Sequence, residues 1–240
     1  MKHMHFETYE MVESAILEIV EEEFFKGPFF EFLLAGRYTM EQIRHFAVQY
    51  SFYSRHFPRV LGAAISAMAP KGSWWIPLAD NLWDEAGRGV PGKSHEELYR
   101  TFLLSVDPNL QVHLDCIPNE SMSVAVGKAV DTFTEFFQRA TPLEAMAAVG
   151  LGSELFAGKV MGTIGQGFRY PNYNKERRLN VLFWEIHADE HEPRHYQLCK
   201  NILVQHTSRI DLEVMYQVGR QIAASEARMY TELHAEMINM

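Results

Sequence analysis

Phe183-Trp184-Glu185-Ile186-His187-Ala188-Asp189-Glu190-His191-Glu192-Pro193-Arg194-His195 spaces three histidines four residues apart and sets acids around them. In an α-helix, residues four apart lie one above the other. His187 and His191 then share a side, while His195 drifts roughly 80° from His187, because each residue turns about 100°. Pro193 changes this geometry. It lacks an N–H and its ring clashes with the turn before it, so a kink or a one-residue bulge is expected there. Such a bulge swings His195 back towards His187. Stacked imidazoles with carboxylates beside them suit iron, manganese or zinc. The competing reading is a solvated, charged helix, and three histidines so close together weigh against it.

Working outward, the pattern is helical almost throughout. From Glu7 to Glu23 the apolar positions Met11, Ile16, Leu17 and Val20 recur at helical spacing. Thr39–Gln42, Ser94–Glu97 and Thr141–Glu144 are capping boxes that open three further helices. Pro58 is expected to kink the helix that starts at Thr39. Gly162 to Asn174, with its glycines and proline, reads as a loop. The histidine helix is then expected from about Lys175 to Val204, and a last amphipathic helix from Asp211 onward. No strand alternation or internal repeat stands out. The class is all-α, one bundle of seven to nine helices.

The 240 residues are 47% hydrophobic and 22% charged, which fits a single domain over 1–240. A formal charge of -9, from 22 basic and 31 acidic residues, argues against a nucleic-acid partner. Cys116 and Cys199 make no disulfide scaffold and fit a reducing cytoplasm. The opening residues lack a signal-peptide pattern, and no run approaches the roughly 18 apolar residues of a membrane span. A cytoplasmic protein without a membrane partner is expected.

Other ligands stand elsewhere in the chain. Glu85 closes one helix and His95 opens the next, across a tight glycine-rich loop. Glu154 sits alone among small and apolar residues, in Gly150-Leu-Gly-Ser-Glu154-Leu-Phe-Ala-Gly158. A lone carboxylate on a buried face costs several kcal/mol unless paired or metal-bound. A buried arginine partner is the structural alternative. Glu85, His95, Glu154, His187, His191 and His195 together suit a dinuclear site better than a mononuclear one. Asp189, Glu192 and His56 are further candidates.

These residues resemble the haem-oxygenase-like di-iron oxidases and oxygenases, relatives of the thiaminase-like helical proteins. That family's pattern is a Glu, a His seven to ten residues on, a Glu on a central helix, and a late His-x3-Asp-x2-His. Glu85, His95, Glu154 and His187 match in order, and the likeness covers roughly residues 25–225. The late motif departs from the pattern. His191 stands where the family has Asp, and Arg194 where it has His. A bulge at Pro193 would instead give those places to Glu192 and His195. Some members add a Glu from an early helix; His56 is the nearest substitute here.

The resemblance implies a haem-oxygenase-like bundle holding two Fe(II) ions, with O2 as co-substrate. It implies a small-molecule substrate, an amino acid or a fatty acid. An amino acid, aromatic or tryptophan-derived, is favoured, with N-oxygenation, C–C cleavage or rearrangement to a nitrile as outcomes; oxidative decarboxylation of a fatty acid is the alternative. Tyr53 can line a substrate pocket, and Arg55, Arg59 or Arg169 can hold a carboxylate. A second reading is a metal-free relative, a thiaminase-like hydrolase or a quinone-cofactor oxidase, but neither cysteine has obvious activating neighbours. A third is an interaction protein with a vestigial site. A homodimer is an open option.

Overall fold

Helices begin where a side chain can satisfy free N–H groups. The computed structural model describes residues 5–112, 117–188 and 192–240. Thr8 caps α1 (Tyr9–Val20), which runs into a π-helical turn, and α2 (Pro28–Leu34) follows with proline in its first turn. The three capping boxes open α3 (Met40–Ala67), α5 (His95–Val106) and α7 (Pro142–Val149), with α4 (Gly72–Glu85) and α6 (Val124–Phe136) between them. A π turn, Gly150–Glu154, joins α7 to α8 (Leu155–Phe168). α9 (Leu182–Ile186), α10 (Glu192–Leu203) and α11 (Arg209–Ile238) complete the bundle. Among the described residues there is no strand, only an isolated bridge between Val112 and Pro118.

The two long helices organise the packing. α11 lies against α1, α6, α7 and the π turn at Gly150–Glu154, while α3 lies against α4, α5 and α6. Between them Trp184, Tyr50, Phe46, Phe102, Phe168 and Tyr230 are fully buried. Each such large apolar side chain contributes about 1.5–3 kcal/mol of burial. No described helix is long and apolar enough to cross a membrane.

Two expectations are corrected. Gly162 to Phe168 is helix, not loop. Its glycines serve close packing rather than a turn: a Cβ on Gly165 would lie 3.0 Å from Trp184 Cβ, and one on Gly167 2.5 Å from Leu33 Cγ. The histidine helix begins at Leu182 rather than near Lys175, because Pro171–Asn174 forms a 3₁₀ turn and an irregular stretch follows. Pro58 sits inside α3, which continues as one helix through it.

The chain is π-helical at His187 and Ala188 and is helical again from Glu192 as α10. The bulge expected near Pro193 falls on a stretch of which residues 189–191 lie outside the described residues.

Candidate metal centre

Asn81, Asp84 and Glu85 lie on one face of α4, at helical i, i+3 and i+4 spacing. All three are buried, and each serves a different partner. The loop after them is tight because Gly87 adopts φ +64°, and a Cβ there would meet the Lys93 carbonyl carbon at 2.4 Å. That turn brings the start of α5 back beside the end of α4. His95, the first residue of α5, therefore faces Glu85, with Nδ1 2.8 Å from Oε2.

His187, at the end of α9, joins them because α9 packs against α5. Its Nδ1–H donates to the Phe183 carbonyl at 2.6 Å, because a carbonyl can only accept. This fixes the tautomer and leaves the Nε2 lone pair pointing inward. Nε2 lies 2.9 Å from His95 Nδ1. The His95 N–H thus faces two acceptors, Glu85 and His187. One ligand atom from each of the three buried residues lies within 4.8 Å of the others, a constellation in which a cation can take the place of that proton.

The second cluster is built on Glu154. Its π turn approaches its neighbours closely: a Cβ on Gly150 would lie 2.7 Å from Cys199 Cβ, and one on Gly152 2.7 Å from Ile222 Cβ. Asn81 Nδ2 donates to Glu154 Oε1 at 2.7 Å. His195 Nδ1 lies 3.7 Å from Glu154 Oε2, and its Nε2–H donates to Asp84 Oδ2 at 3.1 Å. Asp84 therefore orients His195 so that Nδ1 faces Glu154. Burial works to raise the Asp84 carboxyl, but hydrogen bonds from Arg88 and His195 and the charge of Arg194 hold it below the usual carboxylate value. Arg194 itself pairs with Asp80 and Asp84. His195 thus takes the inner position and Arg194 the acidic rim.

Two cavities flank the Glu85–His95 wall. The inner one, about 40 Å³, is lined by Tyr50, Tyr53, Phe57, His187 and Glu226 among others. That is room for a few water-sized molecules. The outer one, about 420 Å³, opens to solvent past Arg55, Trp83 and Glu96. Ser54, Glu85 and His95 line both.

The structure brings together Glu85, His95 and His187, and Glu154 with His195. It places Tyr53 on the inner cavity and Arg55 on the outer one. His191 and Asp189 lie outside the described residues, as do the side chain of Glu192 and Cys116. His56 is not part of either cluster; its Nδ1–H donates to the Phe52 carbonyl at 2.7 Å, one turn back in α3. Arg59 is exposed and lines neither cavity. Arg169 pairs with Glu185 at the surface, away from both.

The sequence reading missed Asn81, Asp84 and Glu226. Glu226, on α11, receives a hydrogen bond from the Tyr53 hydroxyl. Burial, and then the negative charge of Glu154, push its carboxyl up to about 8. A signal for it existed. Ile222-Ala-Ala-Ser-Glu226-Ala sets one acid in a run of small residues, as Gly152-Ser-Glu154 does.

Residues 44–226 match a family described as iron-containing redox enzyme. No curated protein matches the chain in sequence. Among solved structures, a CADD-like protein of unknown function from Nostoc punctiforme is similar, at 16% identity and TM-score 0.77, over 96% of this chain and 98% of that one. A domain of unknown function with a haem-oxygenase-like fold from Shewanella denitrificans has TM-score 0.73 at 13% identity, over 95% and 92% of the two chains. A TenA homologue from Pyrococcus furiosus has TM-score 0.66 at 12% identity, over 92% and 99%. Identities this low establish the fold alone, and it is the haem-oxygenase-like fold that the sequence led us to expect. With the family match spanning most of its length, the chain belongs to the iron-containing redox enzymes.

Proposed function

We propose that the protein is a non-haem di-iron oxidase or oxygenase that uses O2 on a small organic substrate. The observation that carries this is the face of α4 that serves two clusters. One Fe(II) would be held by Glu85, His95 and His187. The other would be held by Glu154 and His195, with His191 or Glu192 from the same segment. Imidazole and carboxylate donors suit iron. When bound, the irons supply the electrons and Lewis acidity for O2 chemistry.

The protein's own groups prepare the site. The Phe183 carbonyl and the Asp84 carboxylate each take an N–H from a histidine and so aim the other nitrogen inward. Tyr53 holds Glu226 at the inner cavity, whose small volume suits a molecule the size of O2. The outer cavity is large enough for an amino-acid-sized substrate. N-oxygenation, C–C cleavage or oxidative rearrangement of an amino acid, such as nitrile formation, is the favoured outcome; oxidative decarboxylation of a fatty acid is the runner-up. A cysteine-dependent, metal-free reaction is disfavoured at Cys199. That thiol is buried, and burial pushes its pKa well above the usual value, which suppresses the thiolate.

Oxygen uptake by the iron-loaded protein, followed over a panel of amino acids and fatty acids, tests the proposal. Substrate-triggered uptake that disappears in Glu154→Ala and in His187→Ala is the expected result. Turnover that survives chelation and is abolished by thiol alkylation overturns it.

A further inference from the structure

α3 meets the two cavities along adjacent stripes. Tyr50, Tyr53, Ser54 and Phe57, at i, i+3, i+4 and i+7, line the inner one, while Ser54, Arg55 and Pro58 line the outer one. Ser54 belongs to both. The other residues common to the cavities, Glu85 and His95, are buried and stand 2.8 Å apart as the wall itself. Ser54 is half-buried, so part of it stays open to solvent. On the reading of this centre proposed above, we infer that Ser54 forms the aperture between the cavities, through which a dioxygen-sized molecule passes from the outer cavity to the metal centre.

Size singles this residue out. On the inner stripe of α3, Ser54 stands among aromatic rings and is the smallest side chain there. A small side chain between large ones leaves a gap that a few added carbons would fill. The helix is also looser at this point. Pro58 has no N–H to give the Ser54 carbonyl four residues before it, so α3 lacks one i→i−4 hydrogen bond at the turn that carries Ser54. The two cavities differ in the way such a route requires. The outer one, about 420 Å³, has room for an organic substrate, and the inner one, about 40 Å³, only for a few water-sized molecules. A diatomic gas passes where the substrate does not, so oxidant and substrate meet the Glu85–His95 wall from opposite sides.

Nitric oxide, a dioxygen-sized ligand of Fe(II), tests the inference. It is mixed rapidly with the Fe(II)-loaded protein without oxygen, and entry is followed by absorbance; exit is followed with a haem-protein scavenger. An aperture is a barrier, so narrowing it slows entry and exit alike and leaves the equilibrium affinity unchanged. Ser54→Leu should slow both rates by about ten-fold or more, the scale of overpacking a tight gap. Ser54→Val should slow them less, and Ser54→Ala should match or exceed the parent. Iron stoichiometry and circular dichroism should equal the parent's throughout, and Ser54→Val decides alone should leucine disturb the fold. Equal rates across the series in fully iron-loaded protein overturn the inference. So does a weaker affinity at an unchanged entry rate, which makes Ser54 a wall of the inner cavity and no more. Either result leaves the proposed centre standing, whereas a parent that forms no nitric oxide complex sinks that centre and the route with it.

Discussion

Asp84 and Glu85 are adjacent in α4 and serve different histidines. The Asp84 carboxylate accepts from His195 Nε2 at 3.1 Å, while the Glu85 carboxylate faces His95 Nδ1 at 2.8 Å. Consecutive helical positions point about 100° apart, and here that angle separates the two clusters, each a half-site on the proposed reading. On the reading proposed above, Glu85 is a ligand. Asp84 acts through His195 and is a positioning residue. Asp84→Asn should therefore lower affinity at the Glu154–His195 half-site by about 10–100-fold and leave the other largely intact. Metal titration that resolves the two affinities checks this; an unchanged second affinity would show that Asp84 does not orient the ligand.

Stability without metal should depend on pH through Glu226. Its carboxyl is raised from 4.5 to about 8, so in that interval the folded protein keeps a proton that the unfolded chain has lost. Unfolding then releases the proton, and stability falls as pH rises through the window. The contribution is present in full below the lower value and is lost by the upper one. Melting temperature across this range should decline in the metal-free protein and decline less in Glu226→Gln. A cation beside Glu154 offsets its repulsion, so the iron-loaded protein should show a shallower slope.

The glycines of α8 yield a test of packing. Gly167→Ala would drive a Cβ into the buried Leu33 side chain and should cost about 1–3 kcal/mol. Gly62 in α3 meets nothing within 4 Å, so Gly62→Ala should instead stabilise by about 0.4–1 kcal/mol. Denaturant unfolding of the two variants should move the midpoint in opposite directions.

Legibility followed the range of the interactions concerned. Capping boxes are local, and the sequence located all three. Glu154 stood out because an acid among glycines and alanines has no local reason to be there, and the same argument applied to Glu226 would have found it. The Glu85–His95 pairing was readable because one short loop joins them. What stayed hidden depends on contacts distant in sequence. Nothing near Gly165 or Gly167 announces that Trp184 and Leu33 press against them, so the glycines read as a loop. Asp84 looked like one more helical acid until His195 arrived from over a hundred residues away. Which of Arg194 and His195 faces inward likewise needed their partners, Asp80, Asp84 and Glu154.

Two sequence candidates outside the centre supply controls. His56→Ala should leave metal stoichiometry unchanged, because its ring is engaged with the Phe52 carbonyl. Arg169→Ala removes a surface pair with Glu185 and should change stability by no more than about 1 kcal/mol. A loss of bound metal in His56→Ala would extend the centre onto α3.

The central claim is that α4 organises two metal sites, and anaerobic titration of the metal-free protein with Fe(II) tests it most directly. The account predicts saturation at about two irons per chain, falling to about one or fewer in Glu154→Ala and in His187→Ala. Saturation at one iron that is insensitive to Glu154→Ala, or no uptake at all, would contradict it.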